Sequence, residues 1–129
     1  MIALDTNVLV RIVTNDDAAQ VKRAVRLLEK HTVFIQDTAL LELVWVLESA
    51  YELKRAGIIR ALHALLGLPN ARVGSLPVLL QAIEHYRQGM DFADALHLAG
   101  LPDGVAFYTF DTGFQKKARS LKLKTVLRA

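Results

Sequence analysis

Cysteine is absent from the 129 residues, which excludes a disulfide framework and any thiolate metal site. The compartment stays formally open, a reducing cytoplasm being the simplest expectation. No apolar run reaches the length of a bilayer span, and the opening MIALDTNVLVR has no basic leader. Neither a membrane segment nor a signal peptide is therefore expected. Internal repeats, low-complexity tracts and linkers are missing too. Acids are missing from the last 15 residues, QKKARSLKLKTVLRA, which hold six of the 16 basic residues, whereas residues 1–114 carry 13 acids and 10 basic residues. A cationic end beside an acidic body suits a polyanionic partner steered toward a site elsewhere. A solvated helix face and an edge strand kept soluble by lysines explain the same charges equally well.

What is present is apolar enough, at 53% hydrophobic and 22% charged residues, to bury a core within one domain spanning 1–129. Short β-forming runs alternate with stretches of helical period. MIAL, TVFI, ARVG, VAFYTF and KTVL read as strands. Between them lie helical segments: TNVLVRIV, DDAAQVKRAVRLLEKH, Thr38 to about Lys54, GIIRALHALLGLP, Leu76 to Gln88, Asp91 to Ala99, and Thr112 to Ser120. Strands separated by helices need crossover connections, so the expected fold class is α/β, a mostly parallel five-stranded sheet with helices on its faces.

Four acids stand in unusual surroundings. Asp5 directly follows the run IAL, and Asp111 follows FYTF. In a parallel sheet, ligands bind outside the carboxyl ends of strands, but an Asp in that position is also a preferred helix cap. Asp91 and Asp94, in GMDFADALHLAG, share one helix face three residues apart, and both also suit a helix start. Glu42 is the only polar residue between Ala39 and Leu47 and has no basic residue three or four positions away. A helix so apolar is expected to be buried, and a buried carboxylate is normally paired, neutralised or bound to metal. If Asp5, Glu42, Asp94 and Asp111 gather, their repulsion calls for a cation. With only oxygen ligands on offer, that ion is expected to be Mg²⁺ or Mn²⁺, the metals of phosphodiester cleavage.

MIALDTNVLVR, LLELVWVL, DFADALHLA and YTFDTGF resemble, in order and spacing, the motifs of PIN-domain ribonucleases, and among them the VapC-type toxins of bacterial toxin–antitoxin pairs. The resemblance implies a three-layer α/β/α domain whose metal site is built from Asp5, Glu42, Asp94 and Asp111. Asn7 and Thr109 would help orient carboxylates or water, and Asp91 would stand just outside the ligand set. It also implies an RNA substrate cut endonucleolytically to leave a 5′-phosphate, a homodimer, and an antitoxin protein that covers the site and often inserts an arginine among the carboxylates.

Other residues point less clearly. Arg11, one turn after Asn7, is placed to pair with a carboxylate or to contact RNA phosphate. Trp45, Leu41 and Val44 suit either a dimer surface or core. The histidines at 31, 63, 85 and 97 show no pair at ligand spacing, and only His97, one turn beyond Asp94, is placed to approach the site. Two other enzyme classes fit poorly. A haloacid-dehalogenase-type phosphatase wants a second Asp where Asn7 stands, and a phospho-accepting receiver domain wants an acceptor Asp near ARVGSL. A catalytically silent RNA-binding or protein-interaction module on the same fold stays open.

Overall fold

In the computed structural model, residues 1–123 and 125–129 are described. The chain folds as two compact units, Met1–Leu76 and Pro77–Ala129.

The first unit begins with strand β1 (Ile2–Ala3) and helix α1 (Thr6–Thr14). Asn15, at a left-handed φ of 54°, ends α1 with its N–H on the Arg11 carbonyl, a role Asn tolerates well. Helix α2 (Ala18–Lys30) follows, capped by the Asp17 carboxylate on the Gln20 N–H. Strand β2 (Val33–Phe34), helix α3 (Asp37–Ser49), helix α4 (Arg55–Leu66) and strand β3 (Ala71–Arg72) complete it. β2 lies between β1 and β3, and both ladders are parallel, pairing Ile2 with Val33 and Val33 with Ala71. Because neighbouring strands run the same way, α1 and α3 both start from the carboxyl edge of this sheet. Leu9, Val33, Ile35, Leu40, Leu43, Leu47, Ile58 and Leu62 are all buried.

Helix α3 stops earlier than its apolar periodicity suggests. Beyond Ser49 the chain turns through Glu52, at φ 52°, and the Leu53 N–H returns to the Leu47 carbonyl at 3.0 Å. Tyr51 is thereby free to leave the helix, and its hydroxyl donates to Asp16 Oδ2 at 2.6 Å.

The second unit contains helix α5 (Leu76–Arg87, starting at the boundary), helix α6 (Phe92–Ala99), strand β4 (Phe107–Thr109), helix α7 (Thr112–Ser120) and strand β5 (Val126–Arg128). β4 and β5 pair in parallel, Phe107 with Val126 and Tyr108 with Leu127. Phe107 stands between the rings of Phe114 and His97, at centroid distances of 5.6 and 5.9 Å, and Tyr86 meets Phe92 edge-on at 5.5 Å. These contacts fasten α6 and α7 to β4, and α6 to α5.

All five expected strands are present and every ladder is parallel. The ladders group them as a sheet of three and a sheet of two. Only part of the expected KTVL strand is assigned, since Lys124 lies outside the described residues and β5 starts at Val126. Among the described residues no helix is long and apolar enough to cross a membrane.

Candidate metal centre

Asp5 sits between β1 and α1, where a chain leaving a strand must satisfy the open N–H groups of a new helix. Its carboxylate accepts from the Thr6 N–H at 2.8 Å, and its carbonyl accepts from Val8 and Leu9. The side chain is exposed. Asn7, one residue into α1, lines a cleft of about 250 Å³ between α1 and α2, together with Arg11, Gln20 and Arg23. Arg11 is committed inside that cleft: its guanidinium donates to Asp16 at 3.0 Å and to the Tyr51 hydroxyl at 3.2 Å. The hydrogen bond that Arg11 donates to Tyr51 and the charge of Asp16 raise the pKa of Arg11, and the hydrogen bond that Tyr51 donates leads the effects that lower that of Asp16. Of the two partners open to Arg11, a carboxylate is the one it meets within the chain.

Glu42 departs from expectation. It lies on α3 as foreseen, but it is exposed. The buried side of α3 is Ala39, Leu40, Leu43, Val44 and Leu47, while Trp45 is 68% exposed. The apolar run therefore has two destinations: one stripe packs inward and the other, with Trp45, faces outward beside Glu42. The burial argument for Glu42 fails because the outward stripe of α3 is apolar too. Its place one and a half turns into a helix that starts at the sheet's carboxyl edge is unaffected.

In the second unit, three of the acids meet. Asp91, Asp94 and Asp111 line one cleft of about 300 Å³ with Met90, Phe114 and Lys117. Asp91 caps α6 by accepting from the Asp94 N–H at 3.2 Å, and Asp111 caps α7 by accepting from the Phe114 N–H at 3.0 Å. Each cap uses one carboxylate oxygen. Thr109 fixes the approach to α7, its hydroxyl oxygen accepting from the Asp111 N–H at 2.9 Å. It thus positions the backbone of Asp111. Burial, then the charges of Asp91 and Asp111, raise the Asp94 carboxyl above its ordinary pKa, with His97 pulling the other way. His97 lies on an exposed face of α6.

Lys117 is the cleft residue that sequence reasoning missed. Its ammonium donates to the Gln88 carbonyl at 3.4 Å. Gly89, at φ +104°, leaves room for it, since a Cβ there would stand 3.0 Å from Nζ. The missed signal is periodic: Lys117 follows Phe114 by three and precedes buried Ala118 by one, placing it on the inner side of α7.

The donors of this cleft are hard oxygens whose charges already oppose one another, which suits a divalent cation. Among the described residues no group of three histidines or acids is gathered as a preformed metal cage.

The family profile described as PIN domain matches residues 2–120. No curated protein matches the chain.

Proposed function

The chain belongs to the PIN domain family, a nuclease fold, and from that premise we propose that it is a metal-dependent endoribonuclease, the toxin of a toxin–antitoxin pair. The observation that carries the reading is the cleft in which Asp94 stands against Asp91 and Asp111. Mutual repulsion there leaves the carboxylates poised for a cation. Asp5, Glu42, Asp94 and Asp111 are the proposed ligands. Asn7, Asp91 and Thr109 hold carboxylates or water in place. The family match runs across both compact units, which supports one nuclease domain over the whole chain.

When bound, Mg²⁺ or Mn²⁺ supplies Lewis-acid stabilisation of the phosphate and acidifies the attacking water. The chain's own residues do the positioning. The caps made by Asp91 and Asp111 fix two carboxylates to helix starts, where backbone N–H groups hold them still. Asp94, raised in pKa, has the most to gain from a cation. Lys117, at the cleft wall, offers a positive charge to a phosphate oxygen.

Control of such an enzyme falls to an antitoxin protein, and an arginine suits a cleft lined by three carboxylates. A homodimer through the outward face of α3 would cover Trp45.

The test is cleavage of a mixed structured-RNA pool by the purified chain in Mg²⁺, Mn²⁺ or EDTA, beside Asp5→Asn and Asp94→Asn. Metal-dependent cleavage lost in both variants is the expected result. Cleavage that survives EDTA, or survives in both variants, overturns the mechanism, and binding without cleavage under either metal favours a silent RNA-binding module.

A further inference from the structure

An acidic cleft repels the polyanion it is proposed to cut, so the RNA must be held by cations nearby. Helix α7 carries both needs on one element: Asp111 caps its start, and Lys117 and Arg119 lie in its last turn. Just past its end is a second cavity, of about 370 Å³, lined by Gln115, Arg119, Lys122, Leu123, Val126 and Leu127. Its lining combines two cations, three apolar side chains and one side-chain amide. Those are the features that hold a nucleotide: charge for a phosphate, apolar surface for a base face, an amide for a base edge.

Lys122 adds an independent sign. Helix α7 ends with the Leu123 N–H on the Ala118 carbonyl at 2.9 Å and the Lys122 N–H on the Arg119 carbonyl at 3.0 Å. This is the Schellman closure, whose left-handed position favours glycine. Here Lys122 occupies it, at φ 62°. Strain of this kind clusters at ligand sites, and Lys122 lines the cavity, whereas Glu52, at φ 52°, carries the same strain at a plain helix exit. Attraction of Arg119 to the helix end explains that residue without any ligand, but it does not explain a lysine held in the left-handed conformation.

We propose that this cavity between α7 and β5 is a nucleotide subsite for single-stranded RNA, with Arg119 and Lys122 as phosphate contacts and Leu123 and the exposed Leu127 as the base platform, Val126 being buried beneath. The proposal rests on the ribonuclease reading for its substrate class. Asp111 and Arg119 are eight residues apart on one helix, about 12 Å at ~1.5 Å per residue. That distance equals roughly three to four stacked nucleotides at ~3.4 Å each, so the subsite grips RNA away from the bond being cut.

The experiment measures binding of a short fluorescein-labelled oligouridylate to the full chain in EDTA across a salt series, for wild type, Arg119→Gln and Lys122→Gly. Each variant is expected to bind about three- to fivefold more weakly near physiological salt and to lose about 0.7 from the salt slope, the single-strand value for one phosphate contact. Lys122→Gly should melt no lower than wild type, because glycine relieves the left-handed strain. Unchanged affinity and slope in both variants overturn the subsite. So does equal, residue-dependent binding of an oligoglutamate of matched charge, which would make this an acidic-peptide site. Cleavage in Mg²⁺ is scored separately. Residue-dependent binding without cleavage supports the subsite and defeats the nuclease reading, whereas intact cleavage with variant-insensitive binding does the reverse.

Discussion

Asp91 accepts the backbone N–H of Asp94 at 3.2 Å, so the residue that caps helix α6 is also a charge facing the side chain one turn above it. On the proposed nuclease reading the two carboxylates divide into a structural and a chemical role. Asp91→Ala should cost about 1 kcal/mol, the usual price of a lost cap, read from urea unfolding. Asp94→Asn should leave that curve in place or shift it up, while lowering cleavage by more than about 100-fold, beyond what a residue outside the ligand set commonly costs. An active Asp94→Asn beside an inactive but folded Asp91→Asn would move the ligand role to Asp91.

Mg²⁺ or Mn²⁺ should stabilise the folded chain by mass action, about 2.7 kcal/mol at 100 times the dissociation constant. Thermal melting with the metal, then with excess EDTA, reads this directly. The gain should vanish in Asp94→Asn and in Asp111→Asn. An equal gain in wild type and both variants would mean the ion binds elsewhere.

His85 predicts acid sensitivity. It is buried, its Nε2 lies 3.1 Å from the Gln81 amide nitrogen, and among the described residues its Nδ1 has no hydrogen-bond partner. Burial lowers its pKa below the ordinary 6.5, with Glu84 opposing. Because the folded value is depressed, the unfolded chain takes up the proton first as pH falls. Stability should be full above about pH 6.5 and decline as pH drops from there toward the folded value. His85→Leu should remove that slope and keep stability at neutral pH, since the unpartnered ring nitrogen goes with it. A slope in the same window that persists in the variant would assign it to another group.

The alternation of apolar runs and helical stretches made the α/β class and all five strands legible, because crossover geometry follows from element order alone. Asp5, Asp91 and Asp111 were equally legible, since capping and site chemistry both place an Asp at a strand end or helix start. The burial expected of Glu42 fails because an apolar helix need not be buried all round, and Trp45 shows that one stripe of α3 faces outward. Where α3 ends was not legible, because the stop depends on a left-handed Glu52 and on Tyr51 reaching Asp16, 35 residues back in the chain. Lys117 was hidden among six basic residues in the tail, and only its phase on α7 separates it from the rest.

Arg11 offers a way to separate structure from substrate binding. Its contacts with Asp16 and Tyr51 occupy the guanidinium, so Arg11→Met should lower the melting temperature and leave the salt slope of RNA binding unchanged. Tyr51→Phe should lower it in the same direction. A salt slope that falls in Arg11→Met would restore the phosphate role.

Glu42 and Trp45 lie three residues apart on α3, which places them on one face, and both are exposed. A partner that covers the indole therefore comes within a turn of the carboxylate. If α3 forms the dimer surface, Trp45→Ala should shift the mass in sedimentation from dimer to monomer, while Glu42→Gln should leave it unchanged. Because Glu42 is exposed, Glu42→Gln should alter stability by less than about 0.5 kcal/mol. Its effect on cleavage is then free of any folding defect, and full loss of activity assigns it to the metal. Retained activity removes Glu42 from the ligand set and leaves the chemistry to Asp5, Asp94 and Asp111.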